Sequence, residues 1–129
     1  MNPRQLQRQS RVQWFEIPAT DFARATRFYE QIFQVTLKKE QMGPQMLGVF
    51  SYEPPAISGC ILAGPDVSPG NAGTIIYLNA DPVLATVVDR VAAAGGTVLV
   101  PRVELPPGMG VFSHIIDTEG NKIGLHAIA

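Results

Sequence analysis

Residues 14–29, WFEIPATDFARATRFY, and residues 74–89, TIIYLNADPVLATVVD, follow one plan. At an offset of 60 positions Asp21 meets Asp81, Ala25 meets Ala85 and Thr26 meets Thr86. Each stretch opens as a short strand, reaches a small residue plus Asp, and runs into a helix. That shared order marks an internal repeat. In the first copy Val12 to Ile17 predicts a strand. Phe22, Ala25, Phe28/Tyr29 and Ile32/Phe33 then recur at helical spacing, with Thr20 or Asp21 as N-cap, over 21–33. In the second copy Thr74 to Leu78 predicts the strand, and Leu84, Val87/Val88 and Val91 mark a helix over 82–94. Asp81-Pro82 signals its start, with proline at the first helical position, and Gly95-Gly96 its end.

Three short strands are expected after each helix: Val35–Lys38, Met46–Tyr52 and Ile57–Ala63, then Thr97–Arg102, Val111–Ile116 and Lys122–Ile128. Gly43-Pro44, Pro54-Pro55, Pro106-Pro107-Gly108 and Glu119-Gly120-Asn121 separate them as turns. The plan is βαβββ twice, an α+β fold. Residues 1–10 read as a loose arm, and 11–129 as one domain of two modules, about 12–65 and 73–128. Asp66 to Gly73 links them.

At 129 residues one domain is the expectation, and 46% hydrophobic content supports a real core. A formal charge of −1 lacks the basic footprint of a nucleic-acid binder or a polybasic membrane-surface protein. The 16% charged content is low and leaves apolar surface for self-association, so a homodimer is expected. The polar start has no secretory pattern, and no apolar run spans a bilayer, so no membrane partner and a cytoplasmic location are expected. Cys60 is the single cysteine, which excludes an intrachain disulfide and four-cysteine zinc motifs.

The stretches FEIPATDFARATRFYEQIF (15–33), YLNADPVLATVVDRVAAAGG (77–96) and FSHIIDTEGNKIGLH (112–126) carry a resemblance. In the last, Asp117, Glu119-Gly120-Asn121, Ile123 and Leu125 follow a closing hairpin D-x-E-G-N-x-I-x-L. The chain resembles the vicinal oxygen chelate superfamily, which contains glyoxalase I, bleomycin-resistance proteins and extradiol dioxygenases. The resemblance implies two βαβββ modules whose sheets form a cup, with helices on the convex side. It leaves open whether one chain or a swapped dimer closes the cup. Metal-dependent members take one ligand from the first and last strand of each module. By matching positions these places fall on Trp14, Gly59, Thr74 and Gly124, none of which serves a divalent cation. A slip of one residue at Gly59 would offer Cys60. No metal and no cofactor are therefore expected.

Strand alternation then sorts the side chains. With Trp14 facing the cup, Glu16 does too, and Phe15 and Ile17 face the helices. With Gly124 inward, His126 follows, while Ile123 and Leu125 face the helices. Thr74, Ile76 and Leu78 form the second module's inward set. Glu16 is the candidate base, expected to be buried in an apolar cup with His126 as its partner. Trp14 can stack on a planar ligand or fill space, and Met109 sits in a glycine-flanked loop that could cap the cup. His114 is expected on the helix side. Cys60 reads as a small buried hydrophobe, and Gly120-Asn121 as a turn device. The expected function is binding of a small organic molecule. The catalytic version is a metal-independent lyase or isomerase using Glu16 and His126; the alternative is a sequestering module of the bleomycin-resistance type.

Overall fold

The computed structural model describes residues 2–129. Its elements are α1 (Pro3–Gln9), β1 (Trp14–Pro18), α2 (Phe22–Phe33), β2 (Lys38–Met42), β3 (Gln45–Val49) and β4 (Ser58–Ala63), then β5 (Tyr77–Asn79), α3 (Leu84–Val91), β6 (Thr97–Glu104), β7 (Val111–Ile116) and β8 (Lys122–Ala127). The strands form two four-stranded sheets of identical order, β1-β4-β3-β2 and β5-β8-β7-β6. In each, the first strand runs parallel to the last and the other pairings are antiparallel. The βαβββ repeat is thus a repeat of topology.

Helices α2 and α3 lie against each other, and one core joins both modules beneath them. Ile17, Phe28, Tyr29 and Ile32 of the first half meet Leu78, Leu84, Val91 and Leu125 of the second. Each such buried side chain contributes roughly 1.5–3 kcal/mol of transfer free energy. The opposite faces of both sheets therefore point away from the helices.

Local chemistry sets the helix ends. Asp21 caps α2 by accepting from the Arg24 amide at 3.0 Å. The helix stops at Gln34, which is left-handed at φ 55° and ψ 49°. After α3, the Gly96 amide donates to the Val91 carbonyl and the Gly95 amide to that of Ala92. With Gly95 at φ 104°, this is a Schellman closure.

Three expectations are corrected. Within residues 1–10, expected as an arm, lies the exposed helix α1, whose start Asn2 and Gln5 cap reciprocally, each amide donating to the other side chain at 2.9 Å. Met1 lies outside the described residues. Pro82 precedes α3, whose N-cap is Val83, with no side-chain cap bond. The first strand after α2 begins at Lys38, because Leu37 turns into the core. β5 covers Tyr77–Asn79 rather than Thr74–Leu78, so its faces are exchanged.

Candidate functional site

Register decides which side chains share the helix-free face, because directly paired residues point the same way. In the first sheet Glu16 pairs with Cys60, and Cys60 with Val49. Trp14, Leu47, Val49 and Tyr52 line a hollow of about 580 Å³ on this face. The Trp14 and Tyr52 rings meet edge to face at 6.2 Å. Trp14 is 40% exposed and Tyr52 48%. Cys60 is fully buried here, and burial, reinforced by the Glu16 charge, pushes its thiol up to about 11. It stays protonated and unreactive at neutral pH.

In the second sheet Tyr77 pairs with Gly124, and Gly124 with His114. The Tyr77 hydroxyl and His114 Nε2 are 2.7 Å apart. Phe112 closes the group, 5.7 Å from the Tyr77 ring and 5.1 Å from His114. Gly124 makes the arrangement possible, because a Cβ there would lie 2.3 Å from Tyr77 Cδ2. Burial first and the Lys122 charge second lower the His114 pKa, which keeps the imidazole neutral at neutral pH. His126, on the same face beside Asn79, has its Nε2 2.7 Å from the Met109 carbonyl. A carbonyl only accepts, so Nε2 carries the proton.

β1 and β5 are each the edge strand of their sheet. Between them lies a hollow of about 280 Å³ lined by Glu16, Ser68, Thr74, Ile76, Asn121 and Lys122, among others.

Several expected site residues are placed differently. Trp14 and Glu16 do face away from the helices, and Ile17 enters the core. The Glu16 side chain, however, is exposed and makes no hydrogen bond among the described residues, and His126 is engaged by Met109. The expected Glu16–His126 contact does not form. Leu78 pairs with Leu125 in the helix-side core, and Ile76 packs against that core. Tyr77 and Asn79 hold the face assigned to Thr74, Ile76 and Leu78. Thr74 precedes β5 and lines the seam. Met109 is 57% exposed, in a turn tied by its own amide to Pro106 and by its carbonyl to His126. His114 lies on the helix-free face because it pairs with Gly124, not with Leu125. The register of the turn after β7 is the signal for His114; Tyr77 depends on the parallel pairing of β5 with β8.

The metal positions shift as well. Gly59 pairs with Phe15 and faces the helices, so Cys60 takes its place. On the helix-free face Cys60 is paired with Glu16, and Gly124 with Tyr77. Among the described residues no three His, Cys, Asp or Glu side chains converge. This set, with a glycine and a phenol at two of its four places, does not fit a divalent cation.

The D-x-E-G-N stretch is more than a turn. Asp117 accepts from the Tyr29 hydroxyl at 2.6 Å and from the amides of Glu119 and Asn121. Asn121 Nδ2 donates to the Pro18 carbonyl at 2.7 Å. Glu119 accepts from the amides of Thr20 and Asp21 and from Arg24 Nε at 2.7 Å. Burial would raise the Glu119 pKa, but Arg24, the Asp21 amide and Thr118 hold it at about 2. The second module's hairpin thereby clamps the end of β1 and the start of α2.

The family model of the Glyoxalase/Bleomycin resistance protein/Dioxygenase superfamily matches residues 11–125. The chain belongs to this superfamily. Its fold is shared with a glyoxalase-related enzyme from Fulvimarina pelagi, 16% identical over 92% of this chain and 88% of that one, with a TM-score of 0.63. A domain of the superfamily from a Frankia species gives 16% identity, 92% and 97% coverage, and a TM-score of 0.68. A glyoxalase I mutant from Zea mays gives 18% and 0.69; the match covers 89% of this chain and 46% of the maize chain, about half its length. No match to a curated protein was found. No helix of this superfamily member, among the described residues, is long and apolar enough to cross a membrane.

Proposed function

We propose that the chain binds a small planar organic molecule on the helix-free faces of its sheets, without a resident metal ion, and works as a homodimer. The ring group of Tyr77, Phe112 and His114 carries this reading. Tyr77 is 48% exposed although the core has room for aromatics such as Phe28 and Tyr29. A ring held at an open face by a hydrogen bond keeps its π-surface available for stacking. Trp14 and Tyr52 offer a second such surface on the other sheet. The sequestering reading follows directly, since it needs rings and no converging acid–base pair.

One observation favours a catalytic version. Among the described residues the Glu16 side chain has no hydrogen-bond partner, and it lines the seam with Lys122 and Thr74. A free carboxylate there can remove a proton next to a carbonyl, with Lys122 stabilising the developing anion. His126 is spent on Met109, so the lyase or isomerase version rests on Glu16 alone. Exposed Val35, Leu99 and Ile128 leave apolar surface for a partner copy. The dimer should bury on the order of 1,200 Å² or more. The lone, buried Cys60 suits a reducing cytoplasmic compartment.

Trp14 is the single tryptophan and provides the test. Titration with planar aromatic compounds should change its emission and raise the melting temperature together, by the linkage of ligand binding to stability. Compounds that bind and are turned over, with turnover abolished by Glu16→Gln, would select the catalytic version. Absence of any binder across such a panel would overturn the proposal. Light scattering that stays at monomer mass at high micromolar concentration would remove the dimer.

A further inference from the structure

The helix-free face of the second sheet is unusual in its charge. Strands β5, β7 and β8 contain no Asp or Glu at any position. That face presents a phenol (Tyr77), two imidazoles (His114, His126), a carboxamide (Asn79) and an ammonium (Lys122). Lys122 sits one in-face step along β8 from Gly124, diagonal to His114 across the ladder, a spacing of roughly 7–8 Å. Its charge is felt at His114. Among the described residues Lys122 makes no ion pair, and Glu16, across the seam, does not reach it within bridging distance.

The Tyr77–His114 pair adds a direction. A neutral imidazole can carry its proton on either nitrogen. With the proton on Nε2, His114 donates to the Tyr77 oxygen, and the phenol proton turns outward to an acceptor. With the proton on Nδ1, Nε2 accepts from Tyr77 and the phenol has nothing left to donate. An acceptor on the ligand selects the first arrangement, at the cost of a tautomer change only. An anionic oxygen accepts a stronger bond than a neutral one. Lys122 supplies the countercharge and Phe112 the apolar edge beside it.

Building on the proposed small-molecule site, we infer that its ligand is a planar organic acid. The acid's ring lies face-on to one of Tyr77 and Phe112 and edge-on to the other, since those rings stand at 86°, and its carboxylate accepts a hydrogen bond from the Tyr77 hydroxyl and faces Lys122. The ligand class is set by the absence of any acid on β5, β7 and β8 together with the unpaired ammonium. A planar base or cation stacked at Tyr77 would meet Lys122 as a like charge and find no carboxylate on these three strands, Glu16 lying across the seam on β1.

Calorimetric titration with matched acid and amide pairs tests this: 1-naphthoate against 1-naphthamide, and benzoate against benzamide. Each acid should bind at least tenfold more tightly than its amide. The acid-to-amide ratio should fall at least fivefold in Lys122→Met and in Tyr77→Phe, and more than fivefold in the double variant. Far-UV circular dichroism and melting curves show whether each variant is folded. His114→Asn, which keeps a side-chain N–H, provides a second way to perturb the relay and should also lower the ratio. Equal binding of acid and amide would overturn this inference and leave the planar-ligand reading standing. A preference for acids that both variants retain would overturn it too, since the charge would then be read elsewhere. Failure of all four probes to bind at millimolar concentration would remove the planar-ligand reading and this inference with it.

Discussion

Two glycines that look alike in sequence behave differently once neighbours are fixed. A Cβ on Gly59 would lie 2.3 Å from the Phe15 carbonyl oxygen, which belongs to a paired backbone and cannot retreat. Gly59→Ala should cost about 2–3 kcal/mol, read from urea unfolding. A Cβ on Gly124 instead meets the half-exposed Tyr77 ring, which can swing into solvent. Gly124→Ala should cost only about 1 kcal/mol while breaking the Tyr77–His114 bond, and planar ligands should bind less well. Gln34 is the opposite case, a side chain where glycine is preferred. Its left-handed backbone at φ 55° is strained for any residue with a Cβ, although its Nε2 recovers a bond to Gln31 at 2.7 Å. Gln34→Gly should raise stability by about 0.5–1 kcal/mol in the same assay.

At the scale of elements, α3 starts without help. Val83 has the extended geometry of an N-cap, φ −128° and ψ 115°, but no side-chain oxygen, and it is exposed. Val83→Ser should stabilise the protein by about 0.5–1 kcal/mol, measured as a higher unfolding midpoint with unchanged slope. Strand β5 teaches a different lesson. The run Thr74 to Leu78 is apolar enough for any register, so alternation could not tell Leu78 from Tyr77. Packing of Leu78 against Leu125 decided it, since burying an aliphatic side chain on both strands outweighs burying a phenol.

The whole molecule depends on the contact between its halves, and the Asp117–Glu119–Asn121 hairpin is central to it. Glu119 has a side chain with no exposed area, while its partner Arg24 is half exposed. Its pKa of about 2 lies below the usual value of 4.5, so the folded state holds its proton more weakly than the unfolded state. The resulting stability is fully present above about pH 4.5 and is lost as pH falls toward 2. Discounting for solvent at Arg24, the contribution is on the order of 2 kcal/mol. Glu119→Gln should remove about that much at pH 7 and leave a shallower decline in stability between pH 4.5 and 2 than the parent shows. Urea midpoints across that range, for both proteins, check the sign and the size. An unchanged acid limb in the variant would show that other carboxylates govern it.

The sequence by itself determined the repeat, the two helices and the closing hairpin, because those depend on local capping, on 3.6-residue spacing and on turn chemistry around Glu119-Gly120-Asn121. It also placed Trp14 and Glu16 on one face and Ile17 on the other, since β1 alternates cleanly. The tertiary structure decided what local pattern leaves degenerate. Pairing registers put His114 opposite Gly124 and Cys60 opposite Glu16, and moved Tyr77 to the face expected of Thr74, Ile76 and Leu78. It also left Glu16 in solvent and gave His126 to Met109. A register is a sum over contacts between segments distant in the chain, and shifting it by one residue reverses every side chain of a strand. The fold is therefore legible from the chain, whereas the site waits on which strand faces meet.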